Sequence, residues 1–209
     1  MRIPTRMMAV AGAAAVLVMA WSAPAEEAAR LGRVVQLSGP VTILRAGDAS
    51  SAAVGSAILT GDRVITGRRS RVRITLFDRT SLVLGADSDV EISTYLRAGA
   101  AEESGLMSLL RGILRLTGPA GGAERGTRVR TRAAIASVRS TDWIVEADFD
   151  TAAVLVVRGR VDVAAALGGG RITLRTGEGS DIRRGSAPGS PVPWGAARAE
   201  DALARTSLP

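Results

Sequence analysis

From Leu31 onward the chain alternates between short apolar runs and polar punctuation. Runs of four to seven residues rich in Val, Ile, Leu and Thr are separated by Gly, Pro, Asp and Ser, a spacing that suits many short strands. The clearest run is Arg71-Val72-Arg73-Ile74-Thr75-Leu76. Its period of two turns Val72, Ile74 and Leu76 toward a core and Arg71, Arg73 and Thr75 toward water. Val90–Tyr95, Arg128–Ala133, Trp143–Ala147, Ala153–Val157 and Arg171–Leu174 are predicted strands on the same ground. Only the tail reads as helix, over Gly195–Arg205, which is rich in Ala with mixed charges.

Three of the apolar runs share a glycine. Leu37-Ser38-Gly39-Pro40-Val41-Thr42-Ile43, Leu110-Arg111-Gly112-Ile113-Leu114-Arg115-Leu116 and Val157-Arg158-Gly159-Arg160-Val161-Asp162-Val163 each carry an apolar residue two before the glycine and two and four after it. The pattern predicts strand, bend, strand, with the glycine supplying a backbone conformation that a side chain would obstruct. Repetition of such units predicts an all-β domain of β-solenoid-like or sandwich architecture with a short C-terminal helix.

The first residues differ from this pattern. Arg2 and Arg6 precede Met7–Ala20, which is nearly all Ala, Val, Leu and Met, and Ala23-Pro24-Ala25 places small residues where a signal peptidase reads. The apolar run of about 14 residues is shorter than the ~20 that a spanning helix needs. Cleavage after Ala25 and a periplasmic or secreted location are therefore expected. Residues 26–194 then form the all-β domain and 195–209 a tail.

Composition narrows the chemistry. With His 0 and Cys 0 the chain has no imidazole base, no thiol nucleophile and no ligands for the usual zinc sites. All 27 Lys+Arg residues are arginine, so there is no Ser-Lys pair, and an arginine stays protonated at working pH. Neither metal nor cofactor is expected. The formal charge of +7 makes an acidic partner conceivable, and aromatics at 3% leave an aliphatic core.

Two stretches carry a resemblance. Leu59-Thr60-Gly61-Asp62-Arg63-Val64-Ile65-Thr66-Gly67, then Ser70–Asp78, then Leu82-Val83-Leu84-Gly85 and Ser88, resemble the FecR domain, in which a Gly-Asp turn leads into a strand ending in Asp-Gly-Ser or Asp-Gly-Thr. Ala134-Ile135-Ala136-Ser137-Val138-Arg139-Ser140-Thr141-Asp142-Trp143 resembles a second signature of that family, and the similarity runs from Gly32 to about Trp194. Arg79 and Ser140 stand where the family has glycine. Positive φ at either would cost about 1 kcal/mol. The resemblance implies a regulatory, protein-binding role. FecR-like regulators of iron transport carry an anti-sigma segment and a membrane helix ahead of this domain. Six residues precede the apolar run here, so direct sigma-factor binding is not expected.

The polar cluster Arg139, Ser140, Thr141 and Asp142 reads as a corner between strands, with Ser140 and Thr141 bonding local backbone and Asp142 capping the turn. The motif position of Arg139 implies a buried structural arginine paired with a carboxylate such as Asp62 or Asp78. Gly168-Gly169-Gly170 and Gly177-x-Gly179 read as hairpin loops, because strand-like sequence follows them where a phosphate cradle needs a helix. Glu146, Asp148 and Asp150 read as a solvated strand end. Arg68, Arg69, Arg71 and Arg73 form one cationic cluster, and Arg128, Arg130 and Arg132 occupy alternate positions on one strand face. Each cluster is either a solvated surface or a site for an anionic partner. Nucleic acid is not expected with so few aromatics to stack on bases.

These readings converge on a non-enzymatic, exported signalling module that recognises a protein partner in the envelope through sheet edges and loops. The alternatives are an envelope protein that binds or cleaves an anionic glycan and a self-associating scaffold. A retaining glycan hydrolase needs two carboxylates about 5 Å apart in a cleft.

Overall fold

A computed structural model describes residues 30–94, 105–118, 126–139 and 141–208. Its strands in chain order are β1 (Arg30–Ser38), β2 (Val41–Arg45), β3 (Asp48–Ser51), β4 (Ala57–Leu59), β5 (Arg63–Thr66) and β6 (Arg71–Leu76). There follow β7 (Ser81–Leu84), β8 (Asp89–Thr94), β9 (Gly105–Thr117), β10 (Gly126–Arg130), β11 (Ala134–Arg139) and β12 (Asp142–Ala147). The last are β13 (Thr151–Arg158), β14 (Arg160–Ala165), β15 (Arg171–Arg175), β16 (Glu178–Arg183) and β17 (Val192–Pro193), then the helix α1 (Ala196–Arg205). The domain is all-β with one short C-terminal helix, as the periodicity predicts.

The strands form two layers. Sheet A runs β4-β1-β6-β7-β9-β12-β13-β16-β17. Sheet B runs β3-β2-β5-β8-β9-β10-β11-β14-β15. All pairings are antiparallel except β9 with β10. The long strand β9 belongs to both: up to Arg111 it pairs with β8, and from Gly112 it pairs with β12. The layers are thus one continuous, unclosed sheet folded over on itself.

The three repeat glycines are the folds in that sheet. The chain passes from sheet A to sheet B at Gly39 and at Gly159, and from B to A at Gly112, with φ of +74°, +105° and +93° respectively. Each faces a hydroxyl residue of a neighbouring crossing: Gly39 faces Ser70, Gly112 faces Ser88, and Gly159 faces Thr141. At Gly112 an added Cβ would land on the Cα and Oγ of Ser88. The kink interrupts the ladder beside Ile113, and Ser88 repairs it. Its Oγ accepts from Ile113 N–H and donates to Ile113 C=O, each at 3.0 Å.

One aliphatic core lies between the layers, built from the inward residues of both sheets, with Trp143 its largest member. Val72, Ile74 and Leu76 are all within it, as strict alternation requires. A second cluster lies on the outer face of sheet A, where Ile113, Ile144, Ala153 and Leu155 meet Trp194 and Ala202. α1 covers this face, one residue inside the Gly195–Arg205 stretch expected to be helical. Thr206 and Ser207 bond the carbonyls of Ala202, Leu203 and Ala204 at the end of the helix, and Arg71 Nε donates to the carbonyl of Arg205 at 3.1 Å.

Several boundaries differ from expectation. β10 stops at Arg130 rather than Ala133, because Thr131 Oγ1 accepts from the N–H groups of Ala133 and Ala134 and reverses the chain. Gly177 is not in a hairpin loop. It turns the chain from β15 in sheet B to β16 in sheet A, where β16 pairs with β13, and Gly179 lies inside β16 beneath the Trp194 ring. Gly168, Gly169 and Gly170 do close a hairpin, between β14 and β15. Tyr95 and the segment 1–29 lie outside the described residues.

Candidate functional site

The motif residues first serve the fold. Gly61 has φ +84° and donates its N–H to Ile92 C=O, while Ile92 N–H donates to Asp62 C=O, which locks the β4–β5 turn onto β8. The Asp62 carboxylate is fully buried and accepts two bonds from Arg45, both at 2.8 Å, and one from Leu59 N–H at 2.8 Å. Gly67 accepts from Ser70 and Asp87 N–H groups at the next crossing. Asp78 accepts from Thr80 N–H and Oγ1, and between them Arg79 holds φ +69°, the left-handed conformation its place in the motif implies.

At the second signature the chain turns between β11 and β12. Thr141 is buried and donates its hydroxyl to Arg160 C=O. Asp142 opens β12 instead of capping the turn. Arg115 grips it with bonds of 2.8 and 2.7 Å, and Thr117 Oγ1 adds a third at 3.2 Å. The carboxylate holds Arg115 more firmly protonated than a free arginine. Backbone pairing places Arg139 opposite Gly126 at the end of β11. Its side chain and Ser140 lie outside the described residues, so the Arg139 pairing is not visible. Sequence reasoning missed Arg45 and Arg115, whose carboxylate partners stand 17 and 27 positions away. No short-range signal marks pairs of that separation.

The arginine clusters divide. Arg68 and Arg69 are exposed on the turn before β6, Arg69 at φ +61°. Arg71 caps α1, and Arg73 donates to Gln36 Oε1 at 2.9 Å. Arg128 and Arg130 share the outer face of β10. Arg132 has left that face, and its guanidinium stands 4.6 Å over the Phe149 ring.

A cleft of about 1000 Å³ opens where the end of the folded sheet meets α1, lined by Arg111, Gly112, Glu146, Asp148, Asp181 and Arg198 among others. Three of its carboxylates are engaged. Arg205 pairs with Glu146 at 3.2 Å, Asp148 accepts from Phe149 N–H, and Arg198 makes a two-bond pair with Asp181, holding that carboxyl below the usual carboxylate range. Among the described residues no aromatic side chain lines the cleft, and Trp194 lies under Arg198 at 3.7 Å. Among the described residues there is no cluster of acidic side chains fit to hold a metal ion.

The sheet margins are unequal. Sheet A ends in β4 and β17, of three and two residues. Sheet B ends in β15 and β3. β3 is exposed at all four residues and pairs with β2 alone among the described residues. Ala52 N–H points inward to Val41 C=O. By alternation the N–H groups of Ser51 and Ala49 face away from the sheet.

Comparison with known proteins bears on this geometry. The family model of the FecR protein matches residues 62–162, from the Gly-Asp turn to the middle of β14. These residues form a FecR domain. The match is narrower than the span from Gly32 to Trp194 over which motifs can be aligned, although the two layers extend on both sides of it. No curated protein matches the chain. Two crystal structures from Parabacteroides distasonis, at 2.50 and 1.65 Å resolution and each described as a "putative anti-sigma factor", share the fold at 19% identity and a TM-score of 0.54. The match covers 68% of this chain and 63 to 64% of theirs. No helix among the described residues is long and apolar enough to cross a membrane.

Proposed function

We propose that this FecR-domain chain is a non-enzymatic, exported signalling module of the cell envelope that recognises a protein partner by strand addition at β3. The observation that carries the reading is the open margin of sheet B. In a strand exposed at all four residues, Ala49 and Ser51 present outward N–H and C=O groups that a partner strand can pair with. Natural sheets blunt such margins unless they are used, and sheet A is blunted to two and three residues. The FecR match and the description of the structural neighbours support a regulatory role. The absence of His and Cys from the sequence and the ion pairs that hold Glu146 and Asp181 in the cleft support the non-enzymatic part.

The test replaces Ala49 with proline, which removes an outward N–H without breaking the bonds to β2. Tagged protein from envelope fractions should lose its captured partner on Ala49→Pro while its denaturation midpoint stays within about 0.5 kcal/mol of the parent. A variant that folds and still retains the partner would overturn strand addition at this margin.

A further inference from the structure

The turns at the β12–β13 end of the C-terminal half meet in a ring. Arg132, on the β10–β11 turn, stacks over Phe149 on the β12–β13 turn. Ala166, on the β14–β15 turn, donates its N–H to Ala133 C=O, and Arg184, just after β16, donates its N–H to Asp150 C=O. Gly170 closes the ring against Ala187. Two of the four large apolar side chains that the described residues expose stand on this ring, Phe149 at 63% and Leu167 at 59%.

We infer that this rim docks on an anionic phospholipid bilayer. The apolar groups sit on protruding turns rather than in a groove, and a bilayer surface accepts several such tips at once. Phe149 and Leu167 then enter the boundary between headgroups and acyl chains. Cations surround them: Arg132 directly over the ring, Arg171 after the Leu167 turn, and Arg183 and Arg184 beside the Phe149 turn. The rim also carries Asp148 and Asp150, but Asp150 faces Arg184 at 3.8 Å and Asp148 accepts from Phe149 N–H. Four arginines against two aspartates leave a cationic collar that suits lipid phosphates. Gly168, Gly169 and Gly170 let the Leu167 turn adapt to the surface. The rim is separate from β3, so the inference does not depend on strand addition there.

Because residues 7–20 are apolar, bulk adsorption of the full chain to vesicles does not isolate the rim. A reporter on the rim does, and a chain with Cys 0 allows one cysteine to be labelled cleanly. Phe149→Cys and Leu167→Cys, each in the full chain and carrying an environment-sensitive fluorophore, are mixed with vesicles of phosphatidylcholine alone or combined two to one with phosphatidylglycerol. Emission should rise and shift to the blue at both positions on the anionic vesicles. It should not change at Val54→Cys, which is equally exposed on the β3–β4 turn. Arg132→Gln and Arg171→Gln should each raise the lipid concentration at half-saturation about fivefold, as expected for ~1 kcal/mol per arginine near an anionic surface. Silence at Leu167→Cys, equal responses to the two vesicle types, or no effect of either arginine variant would overturn the proposal. So would a response to an acidic polypeptide such as polyglutamate without one to vesicles, which would assign the rim to an acidic protein.

Discussion

The crossings at Gly39 and Gly112 are built to one plan and held by different means. In both, a glycine at positive φ bends the chain between layers and lies against a serine of the neighbouring crossing, Ser70 for Gly39 and Ser88 for Gly112. At Gly112 the serine is woven into the backbone. Ser88 Oγ exchanges two bonds with Ile113, Ser88 N–H donates to Thr66 Oγ1 at 2.8 Å, and Thr66 Oγ1 in turn donates to Gly85 C=O at 2.6 Å. At Gly39 the serine fills space alone, because the Ser70 Oγ is buried and has no hydrogen-bond partner among the described residues. One corner is a polar network and the other a steric fit. The difference follows from what is being bent: β9 stays a strand through its kink and needs its ladder repaired, whereas β1 ends at Ser38 and β2 begins at Val41.

The largest expected effect is at the networked corner. Gly112→Ala must accommodate a Cβ against the Ser88 Cα, a backbone atom that no rotamer change can remove, and must hold positive φ with a side chain. The conformational cost of about 1–2 kcal/mol adds to an overpacking cost of about 1–3 kcal/mol, so a loss of roughly 2–5 kcal/mol is expected in denaturant unfolding. That is a large part of an ordinary domain's stability. A loss below 1 kcal/mol would show that the sheet does not fold over at this glycine.

Ser88→Ala asks whether the network matters beyond the fit. It leaves the buried Ile113 N–H without its acceptor and removes one of two donors to Ile113 C=O, which keeps the N–H of Gly85, with an expected cost of roughly 1–3 kcal/mol. The amide of Ile113 should also exchange faster with solvent, which hydrogen exchange followed by NMR detects. Unchanged stability and protection would remove the distinction between the two corners.

The bending of the chain at glycines was legible in the sequence because apolar runs stand on both sides of Gly39, Gly112 and Gly159, but the phase was misread at two of them: Leu109 and Val156 enter the core, while Leu110 is outside it and Val157 packs on the outer face of sheet A. Arg71–Leu76 was legible because local periodicity reports burial, and the helix because its stretch is rich in Ala with mixed charges. What lies opposite each corner was not. Ser88 precedes Ile113 by 25 positions, Asp62 and Arg45 are 17 apart, and both contacts come from which strands and crossings the fold sets side by side. The rim with Phe149 was hidden likewise: Ala-Asp-Phe-Asp reads as a solvated strand end until the turns bearing Arg132 and Leu167 are brought beside it.

The smallest effect belongs to Ser70 and separates steric fit from polar network most cleanly. Its hydroxyl leaves water on folding and gains no bond, so the folded state carries a desolvation cost with nothing to offset it. Ser70→Ala removes that cost together with one atom of packing against Gly39, and the two contributions oppose each other. Stability should therefore stay within about 0.5 kcal/mol of the parent or rise slightly, in contrast to the loss at Ser88. The backbone of Ser70 is unaffected, since its N–H still donates to Gly67 C=O at 3.1 Å. Denaturation midpoints of the two alanine variants, measured side by side, decide the matter. If Ser70→Ala lost as much as Ser88→Ala, the Ser70 hydroxyl would have a bonded role in the folded protein, and the two crossings would be held in the same way.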